Sequence, residues 1–478
     1  MQILIFKPND GVYTEENGSS NLQESKIFPY SLAICAAVLK QEKFRINVLD
    51  AAAEELNQEQ SLEQIKAYHP DIIIMTLNCI TAENSLHGLD YLKKKLQFKL
   101  ICLVNMNFVS ELMQRYSQID IIIRFEWPWA LKDTLIALDN RISLKTVRGI
   151  YYRQKHRIIS TKKRLHRSIK DWPLPALELF PTKKYDIFFT FWTAGCNYNC
   201  IFCHYGPYPK SGWEHREIDS IIAELKLFKK YGDKYIINMD NELTMNPSFV
   251  KALCQRIIKE KINIVFEGNT RASHYDEEMF KLLSAAGCVH LGYGIESGNQ
   301  TILDINQKQI TLNDILITEK LLHKYRITSK GYFLIGLYAE TKKTIRDTFR
   351  FVLTALHTKN LGMGISIPYP GTRFYYLLQK EKRISKFNIS NLIWIHKNCY
   401  NWKLLKGIYA EKPAWKISED INFNKLTSIY TKYYPLLPKR SLYHSLYRLT
   451  NLKYSKWILK QCLINPKLIF KKTLALIK

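Results

Sequence analysis

Three cysteines fall within eight residues, Cys196, Cys200 and Cys203, in the run TAGCNYNCIFCHYGPY. Their spacing is C-x3-C-x2-C, and no fourth cysteine lies close by. Zinc closes four tetrahedral positions, normally with two C-x2-C pairs or with histidines at finger spacing. Three thiolates on one short loop suit instead a cubane iron–sulfur cluster, with one iron left open for a ligand that is not protein. The loop follows a strand-like stretch, YDIFFTFWT from Tyr185 to Thr193, and Gly195 allows the tight turn that a bulky cluster requires. His204, directly after the last cysteine, reads as a surface or packing residue rather than a ligand.

At these residues the chain resembles the radical S-adenosylmethionine (SAM) superfamily, whose signature is C-x3-C-x-aromatic-C, with Phe202 in the aromatic slot. The resemblance continues downstream. NMDNELTMNP (Asn238 to Pro247) looks like the acidic end of the second barrel strand, and EGNTRAS (Glu267 to Ser273) is similar to the third-strand arginine motif. GYGIESGNQTIL (Gly292 to Leu303) resembles the fourth-strand Gly-x-Glu-Ser-Gly turn. FLIGLYAET (Phe333 to Thr341) and IPYPGT (Ile367 to Thr372) match the fifth and sixth strand ends, so the resemblance spans roughly residues 185–375 in order.

The residues by themselves agree. Apolar runs of strand length alternate with amphipathic stretches, and Ile345, Phe349, Val352 and Leu356 make one apolar helical face. This alternation predicts a parallel sheet with helices outside, a partial or full β/α barrel. The polar motifs sit just after the apolar runs, at the carboxyl ends of the strands, the face where such barrels do chemistry.

A chain of 478 residues predicts two or three domains with ample core. We expect an α/β protein: a doubly wound domain over 1–140, a basic linker hairpin over 141–184, the barrel over 185–375, and a mostly helical basic region over 376–478. With no signal peptide at MQILIFKPND and no apolar run near 18 residues, a cytoplasmic location is expected. The other seven cysteines show no pairing pattern; Cys254 and Cys288 are expected in helices as buried small apolar residues.

The N-terminal pattern, MQILIFKP, PYSLAICAAVLKQ, RINVLDA, PDIIIMTL and KLICLVNM, is doubly wound, with its ligand crevice at the carboxyl ends of the strands. It resembles the cobalamin-binding domain that precedes the barrel in one large radical SAM class, and so raises cobalamin as a cofactor. Two departures matter. Val104-Asn105-Met106-Asn107 stands where the family often has a Gly-Gly pair, and Arg124-Phe125-Glu126-Trp127-Pro128-Trp129 replaces a later Gly-rich turn. An Asp-x-His-x-x-Gly motif is missing, as is common in this class. Bulk where backbone should approach a cofactor predicts weak or absent cobalamin binding.

The net charge of +27 is localised. Eleven Lys/Arg and no acid lie between Arg141 and Lys170, and twelve with no acid between Ile421 and Lys478. The second run interleaves cations with Trp457, Leu459, Ile464, Leu468, Ile469 and Phe470, a composition suited to an anionic membrane surface. Basic–aromatic mixtures also bind nucleic acid, but no RNA-binding module is recognisable here.

The resemblance implies the site. Cys196, Cys200 and Cys203 would hold a 4Fe–4S cluster, and SAM would chelate the open iron. One-electron cleavage then gives methionine and a 5′-deoxyadenosyl radical. Asp240 or Glu242 is expected at the methionine amino group, Asp240 in the favoured register, Glu296 at the amino group or ribose, and Arg271 at the carboxylate or a nearby acid. Phe202 and Gly336 would border the adenine. The expected function is radical modification (C-methylation, cyclisation or rearrangement) of a small-molecule or lipid-soluble substrate, with electrons from a flavodoxin or ferredoxin. The alternatives are a nucleic-acid-modifying radical enzyme and a non-catalytic membrane-associated cluster protein.

Overall fold

The computed structural model describes residues 1–9, 26–78, 82–105, 108–203, 212–273, 275–358, 360–385, 388, 390–391, 415–418, 420–434, 437 and 455–456. They form two compact units: Met1–Phe188 with Asn388–Lys412, and Phe189–Phe387 with Pro413–Lys478.

The first unit is built on strands β1 (Gln2–Lys7), β2 (Ile27–Phe28), β3 (Arg45–Asp50), β4 (Ile72–Thr76), β5 (Lys99–Val104), β6 (Ile121–Arg124), β7 (Ile150–Gln154) and β8 (Arg157–Ser160). Its sheet runs β3-β1-β4-β5-β6-β7-β8, parallel through β6 and antiparallel thereafter. The central strands read as continuous apolar runs because helices cover both faces: Ile73, Ile74, Ile101, Cys102 and Ile122 are fully buried. The basic hairpin expected between two domains is β7–β8, and it extends this sheet at its β6 edge. β2 pairs instead with Ile187 and Phe188.

At the carboxyl ends of β1 and β3 a buried carboxylate gathers hydrogen bonds. The Asp50 carboxylate accepts from Lys7 Nζ at 3.3 Å, from the Tyr185 hydroxyl at 2.7 Å and from the Ala53 amide at 2.9 Å. After β6, Phe125 (φ 62) and Glu126 (φ 50) adopt the left-handed backbone that glycine takes most easily, with full side chains in place. The next residue, Trp127, begins a helix to Asp139 and donates its indole N–H to the Val104 carbonyl at 3.1 Å, at the end of β5.

In the second unit, β9 (Ile187–Thr190) begins a parallel sheet with β12 (Tyr235–Asn238), β13 (Val265–Thr270), β14 (Cys288–Glu296), β15 (Thr328–Ile335) and β16 (Leu361–Ile365). Consecutive strands of this sheet are neighbours, the winding of a β/α barrel. No pairing of β16 back to β9 occurs among the described residues. The helix Lys342–Thr354 is started by a Thr341/Thr344 capping box. It buries Ile345 and Val352, and sets the Phe349 ring 5.7 Å from Phe333 of β15, so the apolar face read from the sequence is the one that covers the sheet. Cys254 is buried on a helix as expected, but Cys288, also buried, opens β14. The reason is Gly287 (φ 112), which ends the preceding helix at Ala286.

The start of the basic C-terminal run belongs to this unit's core. The hairpin β17 (Lys416–Ser418) and β18 (Ile421–Asn422) leads into a helix over Phe423–Tyr433, and Ile421, Phe423, Leu426 and Tyr430 are buried. Trp457, Leu459, Ile464, Leu468, Ile469 and Phe470 lie outside the described residues. Among the described residues no helix is long and apolar enough to cross a membrane.

Candidate active site

The cysteine loop leaves β9 at the carboxyl edge of the sheet and is closed at its base by a short antiparallel pair, β10 (Thr193–Ala194) with β11 (Glu214–His215). Gly195 takes φ 81, and a Cβ on it would lie 2.0 Å from the Gly212 carbonyl oxygen. Only glycine fits there. Opposite it, the Asn197 side chain accepts the Trp213 amide at 2.8 Å. Between the second and third cysteines, buried Ile201 pins the loop from two sides. Its amide donates to the Asn306 carbonyl at 3.1 Å, and its carbonyl accepts the Phe374 amide at 2.9 Å. The Cys203 amide donates to the Cys200 carbonyl at 3.2 Å, and Phe202 stands half-buried in this turn.

None of the three cysteines is in a disulfide, and all are of intermediate exposure. Burial raises the Cys196 thiol above its ordinary pKa; the Tyr198 amide opposes this, Glu242 adds to it, and Arg271 opposes it again. Among the described residues no three His, Cys, Asp or Glu side chains are gathered as a single-ion site. Three thiolates on one loop, with no fourth cysteine beside them in sequence, suit a multi-iron cluster with one iron left open.

Asp240 lies two residues past β12 and is buried. Its two oxygens accept the amides of Trp192 (2.9 Å) and Thr193 (3.0 Å), just ahead of Cys196. Burial pushes its carboxyl up to about 6 against these hydrogen bonds. Asp240 therefore holds the entry of the loop. Behind it runs a buried chain that the sequence did not advertise. Arg216 donates to Glu224 at 2.8 Å and to the Phe191 carbonyl at 3.2 Å, while Thr190 donates to the other Glu224 oxygen at 2.6 Å.

Glu242 is also buried, its Oε1 accepting the Thr244 amide at 3.0 Å and hydroxyl at 2.6 Å. Burial pushes it up to about 7, opposed by Thr244 and by Arg271. Arg271 immediately follows β13 and is 5% exposed. Its Nη1 is 3.8 Å from Cys200 Sγ, and its guanidinium carbon is 3.5 Å from the centroid of the Tyr198 ring. Its Nε and Nη2 have no hydrogen-bond partner among the described residues. Cys196, Cys200, Glu242 and Arg271 thus share one locality.

Glu296 ends β14 in the left-handed region (φ 61), where the pairing with β15 shifts register. Its Oε1 accepts Lys308 Nζ at 2.7 Å, and its carboxylate lies so close across Gly294 that a Cβ there would meet Oε1 at 2.3 Å. Gly336 (φ 85) follows β15. A Cβ on it would stand 2.6 Å from Leu426, so the C-terminal helix covers this position. Glu340 accepts the Gly336 and Leu337 amides at 2.6 and 3.2 Å. Asn306 joins the two regions. Its carbonyl takes the Ile201 amide, and its side chain exchanges hydrogen bonds with the Tyr338 backbone at 3.0 and 3.2 Å. Asn306, Lys308, Arg216 and Glu224 carried no motif signal; the pairing of Arg216 with Glu224 at a spacing of eight was the one available hint.

A thiolate loop with a missing fourth ligand, set at the carboxyl ends of β/α strands, defines an iron–sulfur SAM domain, and residues 190–352 match the model of the radical SAM superfamily. That domain implies a 4Fe–4S cluster and SAM, and the relatives support an enzyme with radical-based chemistry. An uncharacterized methyltransferase of Pyrococcus horikoshii is 26% identical over 384 residues, covering 78% of this chain and 82% of its own. The anaerobic magnesium-protoporphyrin IX monomethyl ester cyclase of Cereibacter sphaeroides is 22% identical over 440 residues, covering 85% and 69%. Among solved structures, the radical SAM methyltransferase TsrM from Kitasatospora setae, with cobalamin and a 4Fe–4S cluster bound, superposes with a TM-score of 0.64. It is 16% identical and covers 80% of this chain and 75% of that one. The cobalamin-dependent enzyme OxsB, with aqua-cobalamin and SAM bound, gives 0.65 at 16% identity, covering 83% and 67%. These likenesses establish a shared fold over at least 80% of the chain.

Proposed function

We propose that the chain modifies a small molecule by radical chemistry: C-methylation, ring formation or rearrangement. The observation that carries this reading is the cysteine loop, held rigidly by Asp240, Ile201 and Asn306 yet offering only three thiolates. When bound, the cluster supplies one electron to the sulfonium of SAM, releasing methionine and a 5′-deoxyadenosyl radical. The chain's own residues bind and orient. Cys196, Cys200 and Cys203 hold the irons; Glu242 receives the methionine amino group; Arg271 receives its carboxylate. Glu296, fixed by Lys308, faces the amino group or ribose, and Phe202 and Gly336 border the adenine. Asp240, with both oxygens already engaged, positions the loop. A flavodoxin- or ferredoxin-like protein supplies the electron.

The names of the relatives support a conjugated ring as substrate, since they include a magnesium-protoporphyrin cyclase and a bacteriochlorophyllide methyltransferase. The cations beyond residue 438 serve docking at the inner face of an anionic membrane, where a lipid-soluble substrate is held. Ile421, Phe423, Leu426 and Tyr430, being core, take no part in that contact.

The described residues of the first unit favour weak cobalamin binding. Lys7, Asp50 and Tyr185 join in hydrogen bonds at the ends of β1 and β3. Trp127 closes on the end of β5, and Phe125 and Glu126 put side chains where close backbone approach needs glycine. The unit is read as a scaffold. Reconstituted anaerobically with iron, sulfide and hydroxocobalamin and then gel-filtered, the protein is expected to keep about four irons per chain and little cobalamin. Stoichiometric cobalamin after filtration would contradict the scaffold reading and bring methyl transfer to the front.

A further inference from the structure

We propose that the exposed face of the helix Arg373–Lys380 is where an acidic one-electron carrier protein docks to reduce the cluster. The proposal rests on the function proposed above, which consumes an electron at each cleavage of SAM, and it adds the place where that electron enters. Thr372 caps the helix, its hydroxyl accepting the Tyr375 amide at 3.1 Å. Phe374 and Leu378, four residues apart, are buried, so Arg373, Tyr376 and Lys380 stand in line on the opposite side, where all three are exposed.

The same helix grips the cysteine loop. The Phe374 amide donates to the Ile201 carbonyl at 2.9 Å, and Ile201 is joined covalently to Cys200. Arg373 donates to Gln307 Oε1 at 3.1 Å, beside Asn306, whose carbonyl accepts the Ile201 amide at 3.1 Å. Tyr376 is 56% exposed and Ile305, just ahead of Asn306, is 40% exposed. Both segments that hold the loop therefore keep a large apolar side chain in water. A protein seated there covers both, and its electron reaches Cys200 through one hydrogen bond and a few covalent bonds.

Charge selects the partner. Arg373, Lys380 and Lys382 are exposed and make no ion pair among the described residues. The acids beside them are engaged: Glu381 with the Tyr338 hydroxyl and with Arg383 at 3.3 Å, and Asp304 with the Gln300 side-chain amide at 2.8 Å. A cationic rim around exposed apolar side chains suits a small acidic protein. Redox partners meet through small interfaces, and complementary charge speeds their encounter. In the step itself the reduced flavin or iron–sulfur centre of the carrier loses one electron and the oxidised cluster gains it; no bond forms or breaks.

Two variants test the face. K380E/K382E reverses charge at a distance from Gln307, and Y376A removes the apolar contact. Purified reduced flavodoxin is the probe, and stopped-flow absorbance follows the second-order rate of cluster reduction. At low ionic strength K380E/K382E is expected to slow this step about tenfold. The gap from the wild type should narrow in high salt, where the charges are screened. Y376A should slow it several-fold at either ionic strength. With dithionite in place of flavodoxin, both variants are expected to form 5′-deoxyadenosine at the wild-type rate, which also shows that they fold and hold the cluster. Should one variant lose its cluster, the other decides by the same readings. Wild-type flavodoxin rates in the variants overturn the proposal, and so does a wild-type protein that dithionite reduces but flavodoxin does not. If K380E/K382E keeps the flavodoxin rate but loses binding to anionic vesicles, the face is a lipid contact and the proposal is overturned. A wild-type protein that cleaves no SAM with dithionite refutes the proposed function instead, a result distinct from these.

Discussion

Replacing Cys200 with Ala is expected to leave the protein folded but without its cluster, with 5′-deoxyadenosine formation at the level of a protein-free control. Two thiolates cannot hold a cubane against solvent, and the sulfur facing Arg271 Nη1 would be gone. Iron content and the absorbance of the reconstituted protein check the cluster, and product chromatography checks the chemistry. A Cys200→Ala protein with wild-type iron and wild-type cleavage would remove this residue from the site.

The second large effect lies behind the loop. Arg216 and Glu224 are 1% and 0% exposed and pair at 2.8 Å. Arg216→Met leaves the buried Glu224 carboxylate without its cation, which costs about 3–5 kcal/mol. In a unit of this size, melting should fall by something on the order of 10 °C. Removing both charges, Arg216→Met with Glu224→Leu, should recover much of that loss, because no buried charge is then stranded. Thermal scans of the two variants and the wild type decide it. Equal destabilisation by the single and the double change would mean that the pair's geometry, not its charge balance, matters.

What could be read from the sequence was what is encoded locally. The cysteine spacing, Gly195 at the tight turn and the polar motifs after each apolar run are statements about neighbouring residues, and neighbours keep their relation in any fold. The alternation of strand and helix likewise sufficed for two α/β units. Properties that depend on register were hidden. Nothing in NMDNELT says that the Asp240 carboxylate is already occupied by the Trp192 and Thr193 amides; that follows only once β12 lies beside β9. Gly336 is covered by Leu426, ninety positions away along the chain, a contact no local pattern encodes. Periodicity is also blind to what an apolar face meets. Ile421, Phe423, Leu426 and Tyr430 stand at the start of the basic C-terminal run, and they pack into the second unit. At Phe125 and Glu126 the reverse holds. The residue types departed from the glycine-rich expectation, yet the backbone kept the left-handed turn.

The most direct test is whether the reduced, reconstituted protein cleaves SAM. Under anaerobic conditions with dithionite, 5′-deoxyadenosine and methionine should form in equal amounts, and their formation should require the cluster. An intact, reducible four-iron cluster that yields no 5′-deoxyadenosine from SAM would contradict the account.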